Sequence, residues 1–218
     1  MDWKRVELMK NEGFSLVELL VALVVGGIII TAAYMLFIGN QRTYLMQDEL
    51  ISIQQTIRPA AEYMGRFIRI AGLDPEQTGL FGLRDTTNSS IEFSFDRVDD
   101  PTTGVLEGNF EIKAFRVQGN QLEERSTGDW ETIAENIEAL NFAYLDRDGN
   151  VVADLVNNRG AIRTIQISIV GRSQRPIPRY TNNNAFINLQ GTEILPPQND
   201  NFVRMMFSET VQCRNLGL

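Results

Sequence analysis

The chain has 218 residues, with 20 Lys and Arg against 28 Asp and Glu for a formal charge of −8, one Cys and no His. The absence of His excludes imidazole triads, imidazole bases and His-ligated metals, and a lone Cys excludes an intramolecular disulfide or a CxxC knuckle. The acidic balance argues against a dedicated nucleic-acid binder. Phosphate-loop, GxSxG and HExxH strings are missing too, so no enzyme is expected.

The apolar residues are unevenly spread. Of the 25 residues Phe14–Ile38, all but Ser15, Glu18, Gly26, Gly27 and Thr31 are apolar. As a helix this stretch would reach about 37 Å, enough for a hydrocarbon core of about 30 Å. Lys4, Arg5 and Lys10 precede it, which favours a cytoplasmic N-terminal end. Everything after Ile38 would then lie outside the cytoplasm. A cleaved signal peptide would need a shorter apolar run before its small-residue site, but the run passes Thr31-Ala32-Ala33 without ending. An uncleaved anchor is the other plain reading. It leaves Glu18 unexplained, because a carboxylate inside an apolar span is costly unless a partner charge meets it.

Beyond Ile38 the pattern becomes amphipathic. Met46, Leu50, Ile53, Ile57, Ala60, Met64, Phe67 and Ala71 follow a 4,3,4,3 spacing, which predicts one helical seam packed under a globular head rather than a free coiled coil. Gln47, Asp48, Glu49, Gln54, Gln55, Arg58, Glu62, Arg66 and Arg69 occupy the other faces. Pro59 predicts a kink near Gln55, whose carbonyl loses its donor. Gly26, Gly27 and Gly39 weaken the inner half, and Gly72 with Pro75 ends the helix.

After Asp74 the period changes to two. Ile91, Phe93 and Phe95 alternate with polar residues, Phe110–Gln118 and Gln121–Arg125 flank Gly119-Asn120 as a hairpin, and Ile137–Leu145 runs into the turn Asp146–Asn150. Ile165, Ile167 and Ile169 mark another strand, and Val203, Met205, Phe207, Val211 and Cys213 a last one. The expected class is α+β, with a long N-terminal helix packed on a C-terminal antiparallel sheet. Asp85–Ser90, Asp99–Gly108 and the Pro- and Asn-rich Arg172–Asn201 read as loops. The first two are polar and expected to be mobile. The last is long enough to be a binding or subunit-contact surface, or a plain variable loop.

Asp146, Asp148, Asn150 and Asp154 fall at positions one, three, five and nine of a calcium-loop register, with the Val152 carbonyl at seven. Val151 and Asn157 replace the Gly and Glu such loops use. The other reading is a hairpin turn in which Gly149 supplies positive φ. Cys213 reads as a small buried apolar residue or as the donor of a mixed disulfide. Asp129, Glu131 and Glu135 beside Trp130 read as solvated surface acids.

The string Gly13-Phe14-Ser15-Leu16-Val17-Glu18-Leu19-Leu20 resembles the prepilin motif of the type IV pilin superfamily. Arg58, Tyr63-Met64, Arg66, the run Arg69-Ile70-Ala71-Gly72 and the closing Cys213-Arg214-Asn215 resemble the PilW-type minor pilins, although Phe67 stands where that family often has an acid. The resemblance implies cleavage between Gly13 and Phe14 by a prepilin peptidase, N-methylation of Phe14, and Glu18 as the assembly glutamate. It implies residues 1–13 as leader, 14–38 as membrane and assembly helix, 39–72 as outer helix and 73–218 as head. The implied setting is an inner-membrane precursor with a cytoplasmic leader and a periplasmic head, later part of a surface pilus. The implied partners are the membrane, other minor pilins, the major pilin and the inner-membrane assembly platform. Initiation of assembly near the tip would bear on twitching, adhesion or DNA uptake. A minor pseudopilin of type II secretion and a signal-anchored periplasmic binding domain are the alternatives.

Overall fold

Residues Leu16–Ile70 form helix α1, 55 residues long. The computed structural model describes residues 13–97, 104–106, 111–126 and 128–216. The leader before Gly13, most of the expected 99–108 loop and Phe110 lie outside the described residues. The described chain divides into two compact units, one ending at Tyr44 and the other spanning Leu45–Leu218. In the first unit, Phe14 and the large apolar side chains of α1 from Leu16 to Phe37 are exposed. Thr31 Oγ1 donates to the Gly27 carbonyl at 2.8 Å, which satisfies the hydroxyl inside its own helix.

In the second unit the centre of the expected seam is buried, while Met46, Leu50 and Phe67 are half-buried and Ile68 takes the inner position beside Phe67. Ile53, Ile57, Ala60, Ala61, Met64 and Ile68 are buried, and Ala71 closes the series. The helix stays continuous through Pro59. The buried residues on both sides of Pro59 hold the turn that its missing N–H would otherwise loosen. The end comes at Gly72, whose φ of 76° is left-handed and whose N–H donates to the Ser94 carbonyl at 2.9 Å. This is the glycine C-terminal stop. A Cβ there would also lie 2.7 Å from Leu216.

The strands form two antiparallel sheets and a small ribbon rather than one sheet. The first sheet has the order β1-β2-β3-β4-β5, from Leu83–Thr86, Ser90–Ser94, Ile112–Gln118, Gln121–Arg125 and Glu131–Glu135. The second has the order β10-β7-β6, from Arg204–Gln212, Thr164–Arg172 and Ile137–Leu145. Between β5 and β6 stands a single residue, Asn136, at φ 60°. That left-handed step, which Asn tolerates, turns the chain from one sheet into the other. The Asn136 carbonyl accepts the Arg172 N–H at 2.9 Å and the Ile137 N–H reaches the Asn120 carbonyl at 3.0 Å, so the step is pinned on both sides. Gly119 and Asn120, both at positive φ, make the expected tight hairpin.

Two expected loops are corrected. Asp85–Ser90 is the hairpin joining β1 to β2, ordered by its own short polar side chains. Thr87 Oγ1 accepts the Ser90 N–H at 2.8 Å, the Asn88 carbonyl accepts the Phe142 N–H at 2.8 Å, and the Tyr144 hydroxyl donates to the Thr87 carbonyl at 2.9 Å. Within Arg172–Asn201, Phe186–Ile187 and Glu193–Leu195 pair as β8 and β9. Asn188 anchors this excursion, donating to Asn141 Oδ1 at 2.8 Å. Its far end is clasped by buried Arg204, which donates to Asp200 at 2.6 and 2.7 Å and to Glu138 Oε1 at 3.0 Å. These carboxylates hold the guanidinium pKa above its ordinary value, Asp200 most strongly.

The core lies where α1 crosses both sheets. Phe93, Phe115, Phe142, Ile165, Ile167 and Ile169 meet the buried face of the helix. Tyr63 and Phe67 cover the first sheet edge-on, their rings 5.1 Å apart. The Tyr63 hydroxyl donates to Glu124 at 2.8 Å, and Lys113 bridges to the same carboxylate at 3.0 Å.

Candidate assembly site

Gly13, Phe14 and Ser15 precede the helix without regular structure, and α1 starts at Leu16. The Gly13–Phe14 peptide therefore sits in non-helical backbone, the form a peptidase can bind as an extended segment. A Cβ on Gly13 would meet nothing within 4 Å, and Phe14 is 87% exposed. Glu18 lies in the first turn and its carboxylate accepts the Ser15 backbone N–H at 3.4 Å. Ser15 and Glu18 thus have the spacing of a capping box, with the third helical residue reaching back over the helix start. The negative charge is also favourable at the positive end of the helix dipole. Behind it the window of mean hydropathy 2.5 has no residue buried by the rest of the molecule. An uninterrupted apolar surface of this length calls for lipid or other apolar helices.

The other sequence candidates fall elsewhere. Asp146 Oδ1 accepts the Asp148 and Asn150 N–H groups at 2.9 and 2.8 Å, and Gly149 has φ 84°. These residues form the hairpin turn after β6. Asn150 is brought onto the Asp146 carboxylate, and its backbone N–H is the main cause holding that carboxyl below the usual range. Asp154 instead closes a separate turn, accepting from the Val156 N–H and from the backbone and side chain of Asn157. Among the described residues, no group of three or more His, Cys, Asp or Glu is placed to hold a metal. A calcium ion would have to compete with these turn bonds. Melting the protein in excess calcium and in chelator decides whether it does.

Cys213 is buried and free, and burial pushes its thiol up to about 12. Reactivity needs the thiolate, so the side chain behaves as a small apolar residue. Asp129, Glu131 and Glu135 are exposed as expected, but Glu131 and Glu135 bound the edge strand β5. Sequence reasoning missed Trp130 as an anchor. Arg116 and Arg125 place their guanidinium carbons 4.0 and 4.9 Å from its ring centroid. Stacking of this kind was recoverable only from strand pairing.

An apolar N-terminal helix that continues onto antiparallel sheets defines a pilin-like protein. The family model described as "Prokaryotic N-terminal methylation motif" matches residues 8–34. The model described as "Type IV Pilus-assembly protein W" matches residues 98–215, more than half of the chain. The chain belongs to this family of type IV pilus-assembly proteins. No curated protein matches the sequence. Among solved structures it is similar to "Type IV-like pilin TTHA1219 from Thermus thermophilus", at 15% identity and a TM-score of 0.48, covering 79% of this chain and 98% of that one.

Proposed function

We propose that the chain is a minor pilin of a type IV pilus, a structural subunit that takes part in starting filament assembly near the tip. The observation that carries this reading is the uncovered apolar helix with Glu18 at its start, in a chain of the assembly family. In this reading residues 1–13 are a leader removed by prepilin peptidase, Phe14 is N-methylated, and 14–38 anchor the precursor in the inner membrane. Residues 39–72 continue the helix and 73–218 form a periplasmic head. Cleavage leaves an ammonium on Phe14. In an apolar bundle, Glu18 of one subunit pairs with the ammonium of a neighbouring pilin, since opposite charges attract more strongly where water is excluded. The pair sets axial register among otherwise uniform helices. The work of extraction belongs to the cytoplasmic ATPases of the machine.

Mass spectrometry of the mature chain is expected to find methylated Phe14 as its first residue. An intact Met1–Gly13 in cells with active prepilin peptidase would overturn the reading in favour of a plain signal anchor. Deletion of the gene is expected to remove surface pili. Normal pili with a secretion defect would instead identify a pseudopilin. Glu18→Ala is expected to be inserted and processed but poorly incorporated into filaments.

A further inference from the structure

The excursion between β7 and β10 is closed on itself. Its two limbs are zipped into a neck by backbone bonds. The Ser173 N–H donates to the Val203 carbonyl at 2.8 Å, Ile177 to Asn201 at 2.8 Å and Asn182 to Asp200 at 2.7 Å. The Asn201 side chain adds a bond to the Tyr180 carbonyl at 2.6 Å. Beyond the neck, β8 and β9 pair with each other and with no strand of the two larger sheets. The Asn188 side-chain oxygen closes the turn of this ribbon, accepting the Gln190 and Thr192 N–H groups at 2.9 and 2.8 Å. Residues 174–201 therefore keep a set of backbone bonds that owes nothing to the sheets.

The fastenings that hold this strap to the rest of the head are mostly polar. At the ribbon two carboxamide pairs meet the second sheet, Asn188 with Asn141 at 2.8 Å and Gln190 with Gln166 at 2.9 Å. On one limb the Gln174 N–H donates to Glu49 Oε2 at 3.2 Å. Ile177 and Leu195 are buried apolar side chains of the strap, whereas Ile187 and Leu189 are exposed. The strongest fastening is at the neck. Arg204, its side chain 1% exposed, gives one side of its fork to both oxygens of Asp200 at 2.6 and 2.7 Å and the other side to Glu138 of β6. The charged groups around this joint are Asp200 on the strap, Glu138 on β6, Arg204 on β10 and Arg172 on β7, whose guanidinium carbon lies 4.7 Å from the Phe202 ring centroid.

The structure assigns residues 174–201 as a strap that opens from the head as one unit while both sheets stay folded, with the Asp200–Arg204 pair as its lock. Segments with little apolar burial and their own bonds open below the global unfolding free energy. A two-pronged arginine–carboxylate contact is among the stronger polar fastenings a protein makes, so it decides how often this segment lets go. When Asp200 leaves, Arg204 keeps Glu138. No charge is stranded in the head, which is the cost that would otherwise oppose opening. Opening uncovers the Asn141 and Gln166 side chains on β6 and β7. The strap and its lock do not depend on the assembly reading.

Hydrogen exchange of the full chain in detergent at pH 7, read on peptides from the neck, the ribbon, β6 and β7, tests this. In the wild type the neck and ribbon are expected to exchange ahead of β6 and β7. Asp200→Asn removes the charge but keeps an oxygen for the Phe202 N–H, which Asp200 accepts at 3.1 Å. It is expected to speed exchange about tenfold at the neck and at the distant ribbon alike, with β6 and β7 unchanged. Asp200→Glu keeps the charge and is expected to stay near wild type. Circular dichroism melting checks that each variant folds. A wild-type strap as protected as β7 would overturn the proposal. So would an Asp200→Asn effect confined to the neck, or one that spreads equally to β6 and β7. Exchange as fast in Asp200→Glu as in Asp200→Asn would remove the charge pair as the lock.

Discussion

Glu209 sits on the helix-facing side of β10, in phase with Met205, Phe207, Val211 and Cys213. A Cβ on Gly65 would lie 2.9 Å from its Oε1, so the absence of a side chain at 65 is what admits the carboxylate. Its Oε2 is buried without a hydrogen-bond partner. Burial raises the carboxyl pKa above the ordinary glutamate value, opposed by Arg69 and reinforced by Glu62. Between the unfolded and folded pKa values the native state binds the extra proton, so stability falls as pH rises through that window. Glu209→Gln is accordingly expected to raise the melting temperature at pH 7. The gain should vanish as the pH falls below the ordinary glutamate range, where the wild type is protonated in both states. Equal melting at pH 7 would count against this account. The period-two pattern of β10 was legible, but a glutamate on its inner phase was not, because only the glycine on another element makes room for it.

α1 crosses β7 at close range. A Cβ on Gly171 would stand 2.5 Å from Ile57 Cγ2 and 3.0 Å from Ile53 Cγ2, so helix and sheet touch through a missing side chain. Gly171→Ala forces both isoleucines away and is expected to cost about 1–3 kcal/mol as overpacking. Denaturant unfolding of the full chain would show it as a lower midpoint at an unchanged slope. β4 and β6 were readable at their observed bounds, β4 between the Gly119-Asn120 turn and a polar loop, and β6 because its apolar run ends at the Asp146–Asn150 turn despite a register shift between Ile137 and Ala139. Strand β5 was not. A register shift opposite Leu122 and Glu123 breaks its alternation, and its Glu and Thr residues mimic a surface loop. Strand β1 is four residues with a polar centre, held by pairing rather than by its own pattern. The division into two sheets hangs on Asn136, and one left-handed residue leaves no mark in hydrophobic periodicity.

At the scale of the molecule, the N-terminal site was legible because its chemistry is local. A non-helical Gly-Phe, a glutamate three residues after Ser15 and an apolar run all follow one another in the chain. Trp130 was not legible as an anchor, because Arg116 and Arg125 reach its ring only once β3, β4 and β5 are paired.

Cys213 is sealed in the core with no second thiol to find. Folding of the head therefore waits on no intramolecular disulfide. The head needs no oxidase, no isomerase and no change of redox compartment to finish folding. Its melting is accordingly expected to be the same with and without a reducing agent.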